Sequence, residues 1–151
     1  MSAIITFDDS LWPLLVIRVT GAMSDKDFEA YLARSSAMVE RGERYVSITD
    51  LSKAGLPSAE QRRLQAEWLR EYEAALGKQV LGNASIITSA PIRLAVSLVF
   101  SIKPLPMPNV AVSDMDSALR YVIGKLEEGG FVSEAERVRS HYFGLPGIRA
   151  S

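Results

Sequence analysis

The chain contains no cysteine, which removes thiol nucleophiles, disulfides and thiolate metal ligands from consideration. It has a single histidine, His141, close to its C-terminal end, so a zinc site assembled from several imidazoles is not expected. It lacks an excess of either charge: the formal net charge is −1, the pI is near 5.9, and acids and bases are intermixed. A basic face of the kind that binds nucleic acid is therefore missing, and no nucleic-acid partner is expected. No run reaches the ~20 apolar residues that a bilayer crossing requires. The least polar stretch, Pro91–Pro106, is interrupted by Arg93 and Lys103, so stable membrane insertion is not expected. The opening residues MSAIITFDDS have neither the basic start nor the apolar core of a signal peptide, and a cytoplasmic location is the expectation. Glycine-rich phosphate loops and the G-x-S-x-G nucleophile elbow are absent too. No catalytic residue, metal or cofactor is assigned.

What is present reads as one α/β domain with a C-terminal arm. At 151 residues such a chain buries about two-thirds of its unfolded surface and needs no covalent staple. Ala3–Phe7 reads as a strand ended by Asp8-Asp9-Ser10. Leu14–Thr20 is a β-branched strand closed by Gly21, and the short Asp8–Pro13 connection makes the two an antiparallel hairpin. Ser24 opens a helix with Asp25 and Asp27 in its first turn, and Gly42 stops it. Tyr45–Leu51 alternates Val46 and Ile48 with Ser47 and Thr49, as a strand does. Ser58 and Gln61 form a capping box for a helix whose stripe of Leu64, Trp68, Tyr72, Ala75 and Leu76 runs to Gly77. Ala84–Thr88 is an interior strand. Pro91–Lys103 is a helix stopped by Pro104, Val110–Val112 the last strand, and Asp114 the cap of another helix. Gly129-Gly130 is the linker into a short helix marked by Ser133 and Glu136, and Tyr142, Phe143, Leu145 and Ile148 anchor the tail. The order is β-β-α-β-α-β-α-β-α: a five-stranded mixed sheet with helices packed on it, in a domain spanning 1–128, followed by an arm over 129–151.

The helix after Pro91 carries more apolar surface than one packed face needs. At about 100° per residue, Arg93, Ser97 and Ser101 make a narrow polar stripe and the apolar residues fill the remaining ~240°. Ile92, Ala95, Val96 and Val99 suffice for a core face, which leaves Leu94, Leu98 and Ile102 in surplus on one flank. Surplus apolar surface meets another subunit, a partner or a hydrophobic ligand. Trp12, in the first turn, is a second interface anchor. Trp68 and Tyr72 are spaced to stack on one helical face, either in the core or lining a pocket opposite the apolar helix.

Other groups have plainer uses beside the chemical ones. Asp8, Asp9 and Asp50, with Thr88 or Ser89 and Lys103, superficially match a phospho-acceptor receiver site. A strand follows Asp9 where a receiver has a helix, and these carboxylates serve equally as turn and strand-end residues. Ser58 is a helix cap and, at a helix N-terminus, a candidate phosphorylation switch. Arg62, Arg63 and Arg70 alternate with glutamates, the pattern of a solvated face. His141 has no sequence neighbour that suggests a triad.

The stretch RYVSITDLSKAGLPSAEQRRLQAEWL, with VTGAMSDKDFEAYL before it, resembles the STAS domain family, relatives of anti-sigma-factor antagonists and of bacterial SpoIIAA-like/SEC14-like proteins. The resemblance covers about Ala3 to Leu126 and rests on element order and pattern. It implies a regulatory domain without enzymatic activity. In partner-switching members the strand–helix junction bears a phosphorylatable Ser or Thr in a D-S-[ST]-G-like context. Here TDLSKAGLPSAEQ places Ser58 nearest, preceded by Pro57 and without the following glycine. The apolar helix better resembles the SpoIIAA-like/SEC14-like branch, whose apolar surfaces suggest dimerisation or hydrophobic ligands.

The expected function is regulation or scaffolding through protein–protein contact, with a homodimer formed through helix 91–103 and a further protein partner. The alternative is a binding module for a lipid or other hydrophobic small molecule, which predicts an apolar cavity of ~300 Å³ or more. An enzyme using Asp50, Ser58 and Arg62 on a phosphate-bearing substrate is a third reading, for which no nucleophile–base pair is evident.

Overall fold

Strands that follow one another across a sheet in sequence order, joined by right-handed crossovers, place every crossover helix on the same face. The computed structural model, which describes residues 3–144, has this arrangement. Strands β1 (Ile4–Leu11), β2 (Leu14–Gly21), β3 (Tyr45–Ala54), β4 (Val80–Ile86) and β5 (Asn109–Val112) lie in the order β1-β2-β3-β4-β5. β1 is antiparallel to β2 and the remaining pairs are parallel. The expected five-stranded mixed sheet is therefore present, in an order that pattern alone did not specify. Helices α1 (Asp25–Val39), α2 (Ala59–Glu71), α3 (Glu73–Gln79) and α4 (Ala90–Ile102) lie in the crossovers, and α5 (Met115–Glu128) and α6 (Val132–Phe143) follow β5.

Two cores result, one on each face of the sheet. On the first, Leu14, Val16, Val46, Ile48, Ala84 and Ile86 pack against Leu119, Val122 and Leu126 of α5 and Ala135 and Val138 of α6. On the second, Leu15, Ile17, Val19 and Tyr45 face Val39 of α1, Leu69 of α2 and Val99 of α4. The layers differ in closeness. α5 lies directly on β3 and β4, whereas α2 packs chiefly against α1 and α4. Gly82 of β4 permits the close approach of α5: a Cβ there would stand 2.7 Å from Lys125 Cγ and 3.1 Å from Tyr121 Cε2.

The cap signals operate as read. Ser24 accepts from the Asp27 amide and Ser58 from the Gln61 amide, each in a complete capping box, and Asp114 accepts from the Ser117 amide. Gly42, at φ +71°, takes the left-handed conformation that ends the turn after α1.

Several boundaries differ from expectation. β1 continues through Asp8-Asp9-Ser10 to Leu11, because Asp8 Oδ1 accepts from both the amide and the hydroxyl of Ser10 (2.9 and 2.6 Å), and the irregularity is absorbed between Asp8 and Leu11. The hairpin turn shrinks to Trp12-Pro13, joined by a cis peptide bond. The helix expected to run from Ser58 to Gly77 is two helices that break at Tyr72 (φ −100°, ψ 13°), and Gly77 lies inside α3. β4 begins at Val80, ahead of Ala84. α6 starts after Phe131 without a side-chain cap: Ser133 donates to Glu134 and Glu136 accepts from Arg139. Leu145 and Ile148 lie outside the described residues.

Candidate functional site

The helix α4 divides its side chains as its periodicity requires. Ile92, Ala95 and Val99 are buried and Val96 is half-buried, while Leu94, Leu98 and Ile102 are 62%, 42% and 53% exposed. The surplus flank thus stands in solvent. Arg93 is the one charge within the helix, and its guanidinium donates back to the Ile87 carbonyl at 3.3 Å. Lys103, the C-cap, is paired to Glu73. The stripe is consequently apolar without a competing free charge at its C-terminal end. Leu56, in the β3–α2 loop, is a further exposed leucine that periodicity could not flag because it lies outside any helix.

Behind α4 lies the second feature, a cavity of about 230 Å³ between the sheet and α1, α2 and α4. It falls somewhat short of the expected volume, but the interior is not filled. Its walls are mostly apolar and include Val96 and Val99 from the inner side of α4. Trp68 is among them, its indole N–H donating to Ser36 Oγ at 2.9 Å. Tyr72 does not line the cavity; its ring lies 4.9 Å from that of Trp68, and its hydroxyl donates outward to Glu40 at 3.2 Å.

The floor of the cavity is polar. Ser47 and Thr49 of β3 donate to Asn83 Oδ1 of β4 at 2.8 and 3.2 Å, and Asn83 Nδ2 donates to Ser85 Oγ at 3.2 Å. Sequence reasoning missed this cluster. The signal was the shared alternation: Ser47 and Thr49 interleave with Val46 and Ile48, while Asn83 and Ser85 interleave with Gly82, Ala84 and Ile86. Such alternation ordinarily marks a solvent face, but in strands covered on both sides it places polar groups inside.

The remaining candidates do not converge. Trp12 is half-buried, stacked on Tyr45 at 4.9 Å with the Arg41 guanidinium 3.8 Å from its ring centre, so its aromatic surface is engaged within its own chain. Ser58 is exposed and occupied as a cap, and Gln61, only 4% exposed, ties it to the start of α1 by donating to the Met23 carbonyl and Asp25. Asp50 accepts from Ser52 and lies 3.9 Å from Arg18, while Arg62 reaches the Pro57 carbonyl, so Asp50, Ser58 and Arg62 each bond elsewhere. Asp8 has its carboxyl held below the ordinary 3.8 by hydrogen bonds from Ser10. Asp8, Asp9 and Asp50 form no metal-binding group, and none is found among the described residues. Arg63 pairs with Glu60 and Glu67 on the solvent side of α2. His141 is exposed, edge-on to Tyr142. No helix among the described residues is long and apolar enough to cross a membrane.

Solved structures share this architecture. An anti-sigma factor antagonist from Mycobacterium paratuberculosis superposes with a TM-score of 0.59 at 20% identity, covering 80% of this chain and 94% of that one. A protein from the DUF3478 family with a SpoIIAA-like fold, from Shewanella loihica PV-4, gives the same TM-score and coverage at 14% identity. The chain therefore has a SpoIIAA-like fold, as the sequence resemblance implied. No family model matches the sequence, and no curated protein does.

Proposed function

We propose that this chain is a non-enzymatic regulatory domain that works through protein–protein contact and self-associates through α4. The observation that carries the reading is the exposure of Leu94, Leu98 and Ile102 on one flank of a helix already buried on the other. Full burial of such a side chain is worth about 1.5–3 kcal/mol. Each is already partly covered, so six across a two-fold axis contribute on the order of 6 kcal/mol. Association itself costs about 4–15 kcal/mol. The stripe thus favours a weak, exchangeable dimer, with neighbouring residues adding to it, and a weak dimer leaves the face available to a different protein partner.

Antiparallel packing of α4 on its copy suits the charges. With the axis near Leu98, the two Arg93 residues sit about 15 Å apart at a 1.5 Å rise per residue, beyond the screening length at physiological salt. The likeness in fold to an anti-sigma factor antagonist, a protein named for its action on another regulator, supports the regulatory class. Ser58 fits a phosphorylation switch only if a phosphate can displace its capping bond to Gln61. Size-exclusion chromatography with light scattering tests self-association: the wild-type protein is expected to approach dimer mass as concentration rises, and a folded Leu98→Asp variant to remain monomeric. A wild-type monomer at all concentrations overturns it.

A second reading is supported by a different observation. The cavity behind α4 suits a small hydrophobic molecule, and co-purified ligand in native mass spectrometry is its expected signature.

A further inference from the structure

The cavity combines apolar walls with a hydrogen-bonding floor, and we infer that it selects a small, predominantly apolar ligand carrying one uncharged oxygen acceptor, such as a ketone, held over Asn83 and Ser85. The inference rests on the second reading above, that the cavity admits a hydrophobic molecule at all.

Four polar side chains in the middle of a sheet's buried face are costly unless each is satisfied. Here the bonds run one way. Ser47 and Thr49 give their protons to Asn83 Oδ1, and Asn83 gives one of its two amide protons to Ser85. The second amide proton of Asn83 and the hydroxyl proton of Ser85 take no part in this network, so on β4 the floor offers two donors while Asn83 Oδ1 is already doubly engaged; the Ser47 and Thr49 oxygens, which can still accept, lie beside them on β3. A ligand placed there is asked for an acceptor.

Charge excludes the alternatives. Among the described residues Arg62 is the only charged one lining the cavity, and its guanidinium donates to the Pro57 carbonyl. No cation accompanies Asn83 and Ser85 and no carboxylate is among the described lining residues, so a carboxylate or an ammonium at the floor would lose its hydration without a counter-charge. A neutral carbonyl meets no such penalty. Size sets the rest. A dry cavity of about 150 Å³ holds benzene; in proportion, the present volume of about 230 Å³ suits a molecule with a phenyl ring and a short substituent.

The test compares three probes of similar size: propiophenone, its hydrocarbon counterpart propylbenzene, and 3-phenylpropanoate. Binding is followed by NMR at the Asn83 side-chain amide and the Trp68 indole N–H, which report on this cavity, with backbone spectra confirming the fold of each variant. Propiophenone is expected to shift both signals and saturate. Ser85→Ala should weaken it about threefold and N83L/S85A about tenfold, the range for one or two hydrogen bonds, with no fall in propylbenzene affinity. Should the double variant not fold, Ser85→Ala alone decides. Tighter binding of 3-phenylpropanoate, or a propiophenone affinity indifferent to Ser85→Ala, overturns the head-group inference while leaving a cavity that binds apolar molecules. If no probe binds, the hydrophobic-ligand reading fails as well, and self-association through α4 is untouched.

Discussion

Single residues on this chain behave as their local chemistry dictates, and their contributions can be measured separately. Ser58→Ala removes the acceptor for the Gln61 amide and should cost about 1 kcal/mol in thermal or urea unfolding, whereas Ser58→Asp restores an N-cap and should recover most of it. Burial pushes the Tyr45 phenol up to about 12 from its ordinary 10.0. The folded state then holds that proton more tightly than the unfolded chain does. Stability is unaffected below pH 10 and falls as pH rises from 10 towards 12. Tyr45→Phe should flatten that alkaline decline, and a decline of unchanged steepness would assign it elsewhere. At the acid end the Asp114 carboxyl is lowered from 3.8, chiefly by the Ser117 amide it caps. Its contribution is present above that value and disappears as pH falls through the lowered one, a loss Asp114→Ala should not show. The caps at Ser24, Ser58 and Asp114 were legible because a cap is a local signal three residues long. The tight Asp8–Ser10 bonding was not, since Asp-Asp-Ser is also what an ordinary turn contains.

At the scale of elements, the faces of α4 were readable because a 3.6-residue period fixes them whatever lies beneath: Ile92, Ala95 and Val99 inward, Leu94, Leu98 and Ile102 outward. The break between α2 and α3 was invisible because Tyr72, Ala75 and Leu76 continue the apolar spacing across it, and a bend preserves that spacing nearly as well as a straight helix. The start of β4 at Val80 was hidden for a related reason. Gly82 reads as punctuation in sequence, and its role is to admit Lys125 and Tyr121 of α5. Close approaches of this kind can be ranked. Gly82→Ala presses on the flexible Lys125 side chain and should cost about 1–2 kcal/mol. Gly55→Ala meets the backbone of Ala22 at 2.7 Å, which cannot yield so easily, and should cost more. Chemical unfolding of the two variants checks the order; equal costs would mean that the Ala22 segment moves freely.

The whole molecule is asymmetric about its sheet. One layer, α5 and α6 on β3 and β4, is closely packed; the other, α1, α2 and α4, spans a cavity with a polar floor. Regions with fewer packed contacts open at lower free energy, so amide exchange should be slowest in β3, β4 and α5 and faster in α4. Uniform protection of the two layers would contradict this. Sequence pattern predicted the number and mixed character of the strands but not their order, because hydrophobic periodicity is a property of each strand, whereas order depends on contacts between strands. Nor could it locate the cavity, which arises from how far three helices stand from the sheet. The asymmetry also joins the two functional readings physically, since the inner side of α4 borders the cavity and its outer side bears the exposed stripe.

A chain without cysteine allows the packing of α4 on its own copy to be tested with a single thiol. In antiparallel packing about an axis near residue 98, the two copies of Leu98→Cys lie within the Cα separation of up to about 7 Å that a disulfide spans. Under mild oxidation this variant should form a covalent dimer rapidly, while Ser133→Cys, at an exposed position on α6 and likewise open to random collision, should not. Equal rates for the two variants, or a Leu98→Cys protein that stays monomeric, would mean that α4 does not pack on its own copy.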